Sequence, residues 1–195
     1  MTLWLSLVLA GCGPSAGPAP TKVVESGSGA SSAIRSNAVV APAVPVPVEE
    51  TEVVLHQMRA QTNLPQVKLY VGAHEITTDL CATVTQVATG LMWRESIGAE
   101  ETMFFVFATP QQRSFYMKNV PFPIAAGYID PEGVLQEIVQ LKAMDPTPVY
   151  SKSDRIQFVL ETAPDWFERK GVAVGTVLAT PDGPLKGLVR RARLP

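Results

Sequence analysis

Lys118 and Asn119 stand side by side at the end of the segment Ser114–Asn119, just before the chain enters Val120-Pro121-Phe122-Pro123. A lysine can pair with an anionic group of a ligand, and a neighbouring asparagine can orient it. Arg94 offers a planar guanidinium fork suited to a carboxylate. Tyr116 offers a ring for stacking on a sugar or another flat ligand, as does Trp93. Glu161 lies among apolar neighbours on a strand and needs a partner if it is buried. Arg94, Tyr116, Lys118, Asn119 and Glu161 are therefore the candidate ligand-binding residues. Each also has a structural role open to it. Asn119 can satisfy backbone groups beside the proline loop. Lys118 can pair with Glu161 or Asp130, Arg94 can tie a helix end to a sheet, and Tyr116 can simply pack.

Several chemistries are disfavoured. The two histidines, His56 and His74, are isolated, and the two cysteines, Cys12 and Cys81, make neither a disulfide framework nor a four-ligand zinc site. Cys81 has no base near it in sequence and reads as a small buried apolar residue. There is no phosphate-binding glycine loop and no metal motif, so no cofactor is expected. A formal net charge of −2 lacks the basic field of a general nucleic-acid binder. For acid/base work the evident carboxylates are Glu161, Asp130 and Asp145.

The elements that must position these residues follow from periodicity. Val67, Leu69 and Val71 alternate with polar positions, and Ile76, Thr78 and Leu80 continue after Gly72-Ala73, which predicts a hairpin. Thr83 can cap a helix from Val84 to about Met92, with Val84, Val87, Ala88 and Leu91 on its apolar face. Met103–Phe107 is apolar throughout, as in a strand buried on both faces or on one face under a helix. Further strands are expected at Arg113–Asn119, Ile124–Ile129, Val134–Leu141, Ile156–Glu161 and Val172–Ala179, with a turn at Asp130-Pro131-Glu132-Gly133 and a short strand at Leu188-Val189. Ala163-Pro164-Asp165 opens a second short helix that closes at Gly171. The strands run mostly in hairpin order, with no strand–helix alternation of the parallel kind. The expected fold is mainly β: a compact antiparallel β-barrel or jelly-roll-like sandwich with two short helices.

The chain before this domain has a different texture. Residues 1–12 form a short apolar run ending in Leu9-Ala10-Gly11-Cys12, too short to span a bilayer. It resembles the bacterial lipobox, in which the cysteine is lipidated and becomes the new N-terminus. No Lys or Arg precedes the apolar run. Gly13 after the cysteine fits sorting to the outer membrane in Gram-negative cells. Residues 13–64 are rich in Pro, Ala, Gly, Ser and Val up to about Pro47, a composition that cannot bury enough apolar surface to order itself. A short helix is expected at Glu49–Ala60. The domain itself is assigned to 65–195.

Three pieces of that domain carry a family resemblance. Gly90-Leu91-Met92-Trp93-Arg94, Met103-Phe104-Phe105-Val106-Phe107 and Ser114-Phe115-Tyr116-Met117-Lys118-Asn119 are similar, in order and spacing, to the domain of unknown function 192 family, over roughly Gln66 to Ala179. The resemblance implies a compact, mainly antiparallel jelly-roll-like fold, in proteins often secreted or lipid-anchored, and no established activity. This chain departs from the family pattern at Thr89, Tyr116 and Val120. It also has Ala125 and Thr176 where the pattern has acids.

The expectation is a lipid-anchored, monomeric, non-enzymatic module of the cell envelope. It would face the periplasm from the outer membrane on a tether and either bind a small molecule, a glycan or a protein or serve a structural role. The alternative is an enzyme that modifies envelope polymers by carboxylate acid/base chemistry.

Overall fold

The computed structural model describes residues 55–192, with side chains to residue 189. The lipobox cysteine Cys12, the tether to residue 54 and the arginines at 190, 191 and 193 lie outside the described residues or side chains. Ten strands and three short helices follow in order: β1 Gln66–Val71, β2 His74–Cys81, α1 Val84–Thr89, β3 Thr102–Gln111, β4 Ser114–Phe115, β5 Ile124–Ile129, β6 Leu135–Leu141, β7 Val149–Tyr150, β8 Ile156–Thr162, α2 Trp166–Arg169, β9 Leu178–Thr180, β10 Gly183–Pro184 and α3 Lys186–Ala192. Eight strands form one sheet in the order β10-β9-β1-β2-β3-β8-β5-β6, and β4 pairs with β7. The fold is mainly β and mostly antiparallel, but the sheet does not close into a barrel. A corner latch links β6 to the approach to β9. Val134 bridges Val177, Leu135 N donates to Thr176 O at 2.9 Å, and Leu178 N donates to Gly133 O at 2.7 Å.

Strand alternation explains why the sheet needs cover on both faces. In β3 and β8, Phe104, Val106, Phe158 and Leu160 face one cluster, which Trp166, Phe167, Leu185 and Leu188 complete. The Phe104 and Phe158 rings stack within it at 5.7 Å. Met103, Phe105 and Val159 face the opposite cluster, covered by Leu91, Met92, Met117 and Val120. The all-apolar run at Met103–Phe107 is thus buried on both sides through Val106.

Five local expectations are corrected. The sheet contains one parallel pair, β2 with β3, joined across α1 (Asp79↔Met103, Cys81↔Phe105); the connection 82–101 is long enough for such a crossover. Leu188 and Val189 lie in α3, a third helix, not a strand. With Leu185 they recur at helical spacing and bury against the first cluster. The segment 55–60 is not helical, and its polar groups bond to the body instead: Gln57 N donates to Thr89 Oγ1 and Trp93 Nε1 to Gln57 O, each at 2.9 Å. The rest of the expected Glu49–Ala60 helix lies outside the described residues. The strand expected at Arg113–Asn119 shrinks to β4, because Met117–Val120 is a turn (Val120 N to Met117 O, 3.1 Å) with Asn119 at φ 62°. The strand expected at Val172–Ala179 begins only at Leu178, after a bend at Gly175.

Candidate functional site

The region around the sequence motifs is built from α1, the turn after it, the 111–117 segment and the face of β3 and β8 that α1 covers. Thr83 caps α1 in a reciprocal capping box: Gln86 N donates to Thr83 Oγ1 at 3.3 Å, and Thr83 N to Gln86 Oε1 at 3.1 Å. The helix ends at Gly90, whose φ of 47° suits a residue without Cβ. A Cβ there would lie 3.4 Å from the Phe105 ring. This close approach brings Leu91 and Met92 down onto the sheet.

Among the described residues, three non-glycines hold left-handed backbone: Trp93 (φ 68°), Asn119 (φ 62°) and Met144 (φ 58°). Their loops are tied together through the main chain. Trp93 N donates to Asn119 O and Met144 N to Val120 O, each at 2.9 Å, and Met117 N to Asp145 O at 2.7 Å. Such conformations persist where the surroundings over-determine them. Here they fix the turn that follows β4.

Between this turn and α1 lies a cavity of about 360 Å³, within the ~300–1,000 Å³ range usual for small-molecule sites. Its walls are largely apolar and aromatic, with Leu91, Phe105, Phe115 and Met117, and Tyr116 and Arg113 also line it. Phe115 packs edge-on against Phe105 at 5.1 Å and Tyr128 at 6.1 Å. The Arg113 guanidinium lies 3.8 Å from the centre of the Phe107 ring and donates to the carbonyls of Ile156 and Thr109. Burial lowers its pKa from the ordinary arginine value.

Glu161 also lines this cavity. It sits on β8 between Met103 of β3 and Ala126 of β5, and is only 5% exposed. No described group donates a hydrogen bond to its carboxyl group. Burial pushes its pKa up to about 8, while the Arg94 guanidinium pulls the other way. The salt bridge expected of a buried Glu161 is therefore absent, and so is its pairing with Lys118.

Arg94 is committed elsewhere. Its Nη2 lies 2.8 Å from Asp79 Oδ2 and donates to Gln61 O at 3.2 Å, and its Nη1 pairs with Glu101. It borders a separate, open and polar depression. Gln61 itself is buried, and its Nε2 donates to Gly90 O at 2.9 Å and to Gln86 O at 3.0 Å. Cys81 lies beside it, with burial raising the thiol pKa, which disfavours the thiolate. Burial likewise raises the pKa of the Tyr128 hydroxyl, which donates to Val149 O at 2.9 Å.

Of the five candidate residues the structure brings Tyr116 and Glu161 to one cavity. Arg94 stands behind Glu161, acting on it through its field. Lys118 is exposed, has no ion pair among the described residues and lines none of the described cavities. Asn119 acts through its backbone. Of the three candidate carboxylates only Glu161 faces this cavity. Asp130 accepts from Glu132 N, Val134 N and Gln136 Nε2 in its turn. Asp145 is held below the usual aspartate range by its hydrogen bond from Thr147. Sequence reasoning passed over Arg113 as a site residue and placed Gln61 in the tether. Arg113 carried a signal, as a cation opening the aromatic segment; Gln61 carried none. Among the described residues no group of three or more His, Cys, Asp and Glu side chains is placed to hold a metal.

The position where the family pattern has an acid, Ala125, belongs to the cluster on the far face of the sheet. Its loss leaves the Glu161 cavity untouched. Thr176, at the other such position, sits in the corner latch.

Solved structures share this architecture. One, a candidate transcription regulator from Sinorhizobium meliloti 1021, superposes with a TM-score of 0.57 at 22% identity, covering 62% of this chain and 98% of its own. Another, a protein of unknown function from Novosphingobium aromaticivorans DSM 12444, gives 0.56 at 24% identity, covering 60% and 86%. At these identities the likeness is one of fold. No curated protein matches the chain. The DUF192 family, described as Uncharacterized ACR, matches residues 67–180. That span holds α1, the Gly90–Arg94 turn, β4 and Glu161, and the chain belongs to this family.

Proposed function

We propose that the domain is a non-enzymatic, monomeric binding module that takes a small molecule in the cavity between α1 and the 111–117 segment. The observation that carries this reading is the buried carboxyl of Glu161, without a hydrogen-bond donor among the described residues, on the wall of a cavity that Leu91, Phe105, Phe115 and Met117 also line. An isolated buried polar group is costly unless something pairs with it, and a bound ligand supplies the missing partner. The enzymatic alternative has the same residue in its favour, since a carboxyl with a raised pKa can act as a general acid. It lacks a second carboxylate in this cavity.

The test fills the cavity from its helical wall. Small molecules that raise the melting temperature of the wild-type protein should lose that effect in Ala88→Trp, whose indole would occupy the space beside α1. Circular dichroism confirms that the variant is folded. Compounds that stabilise both proteins equally bind elsewhere and remove the cavity from consideration.

The module works, in this reading, at the cell envelope, held by a lipid on Cys12 and facing the periplasm from the outer membrane. The support is the sequence Leu9-Ala10-Gly11-Cys12 and the proline- and glycine-rich stretch after it. Two or three acyl chains give stable anchoring at ~0.8 kcal/mol per buried methylene. Radioactive palmitate should label the wild-type protein and not Cys12→Ala. Equal labelling of the two, or none of the wild type, would sink the anchor.

A further inference from the structure

We infer that the cavity selects a compact organic cation, a primary ammonium on a small apolar or aromatic body, with the ammonium meeting Glu161 and the body lying against Phe105, Phe115 and Met117. This rests on the cavity being the ligand site and names the class of ligand it takes.

Arg94 is held by Asp79, Glu101 and the Gln61 carbonyl. Arg113 lies on the Phe107 ring and donates to two carbonyls. Arg94 is thus paired with two carboxylates, and Arg113 is engaged by two carbonyls and a ring. Glu161 has no hydrogen-bond donor among the described residues. An anionic ligand would meet an acidic group beside apolar walls. An inorganic cation would make no use of those walls. An organic cation satisfies both features, and aromatic faces add attraction for it.

Three groups interact electrostatically with Glu161 from the elements packed around it: Arg94 from the turn after α1, Cys81 from β2 and Tyr128 from β5. Only Arg94 favours its ionised form. Arg94 alone does not offset the burial, so Glu161 is largely protonated at neutral pH. A cation that binds it must release a proton to solvent. Its affinity should then rise by about tenfold per pH unit between pH 6 and 7, since an alkylammonium remains charged throughout.

The experiment uses three probes that share a phenylethyl frame, phenethylammonium, 2-phenylethanol and 3-phenylpropionate, titrated calorimetrically into the lipid-free Cys12→Ala chain and into the same chain with Glu161→Gln. The neutral glutamine removes a buried acidic group without changing its size, so the variant is expected to fold. Phenethylammonium should bind the Glu161 protein at least tenfold more tightly than either other probe. It should release a proton and lose at least tenfold in affinity with Glu161→Gln. Equal or tighter binding of the alcohol or the carboxylate overturns the cation inference and leaves the binding site standing. Unchanged phenethylammonium affinity in Glu161→Gln also overturns it. No binding by any of the three overturns both readings.

Discussion

Wild-type stability should fall as the pH rises from 5 to 8, and Glu161→Gln should abolish most of that fall. The folded-state pKa of Glu161 is about 8, against an ordinary value of 4.5 in the unfolded chain. Between those values the native state holds a proton that the unfolded state has given up. Its contribution is thus fully present below pH 4.5 and is lost as pH rises toward 8. At ~1.4 kcal/mol per pH unit, the loss over this window is on the order of 4 kcal/mol. The other displaced groups act outside the window. Asp145 and Glu100 are shifted down, so their contributions disappear only as pH falls below the ordinary carboxylate range. Cys81 and Tyr128 are shifted up and act above their ordinary values of 9.0 and 10.0. Urea unfolding at pH 5, 6.5 and 8, followed by tryptophan fluorescence, gives the profile. The variant should match wild type at pH 5 and exceed it at pH 8 by about 2–4 kcal/mol. A flat wild-type profile, or an unchanged slope in Glu161→Gln, would contradict the burial assigned to this carboxyl.

Gly133→Ala should destabilise the domain by about 3 kcal/mol or more, the largest single-methyl effect expected in the fold. The residue has φ 87°, and an added Cβ would stand 2.5 Å from the carbonyl oxygen of Leu178. That oxygen is main chain and cannot swing aside. The same glycine accepts a hydrogen bond from Leu178 N at 2.7 Å, so retreat would also pull at the corner latch. Gly171→Ala is the control. It too has positive φ, 61°, but an added Cβ meets nothing within 4 Å. Its cost should stay near the ~1–2 kcal/mol of a left-handed alanine. Denaturant midpoints of the two variants separate backbone conformation from collision, and equal losses would remove the collision from the account.

Much of the architecture was legible along the chain. The alternation of Val67, Leu69 and Val71, the box between Thr83 and Gln86, and the run Met103–Phe107 each encode an element locally, and each forms one. What escaped is what depends on distant partners. Nothing near Cys81 indicates that β2 pairs in parallel with β3 across α1. Helical spacing at Leu185, Leu188 and Val189 spans too few residues to declare itself beside the strand-like Leu188-Val189 pair. The candidate site divides the same way. Glu161 was visible as a carboxylate on an apolar strand, yet periodicity cannot say whether a cation stands opposite it. Arg94 is taken by Asp79 and Glu101, which lie 15 and 7 positions away in sequence. Lys118 stood out by composition, whereas the turn that holds it is fixed by main-chain bonds from Trp93 and Met144.

The neighbourhood of β1 and β9 bears on when the molecule can take shape. The first strand is paired on one side by β2 and on the other by β9, with Tyr70 opposite Ala179 and Val71 opposite Leu178. Residues 133–135 likewise await residues 175–178. A growing chain that has reached only the end of β8 therefore has neither its outer edge nor its corner joined. At ~5–20 residues per second, the ribosome makes β1 several seconds before β9 exists. The domain cannot complete its folding before β9 has been made, and until then β1 has one open edge.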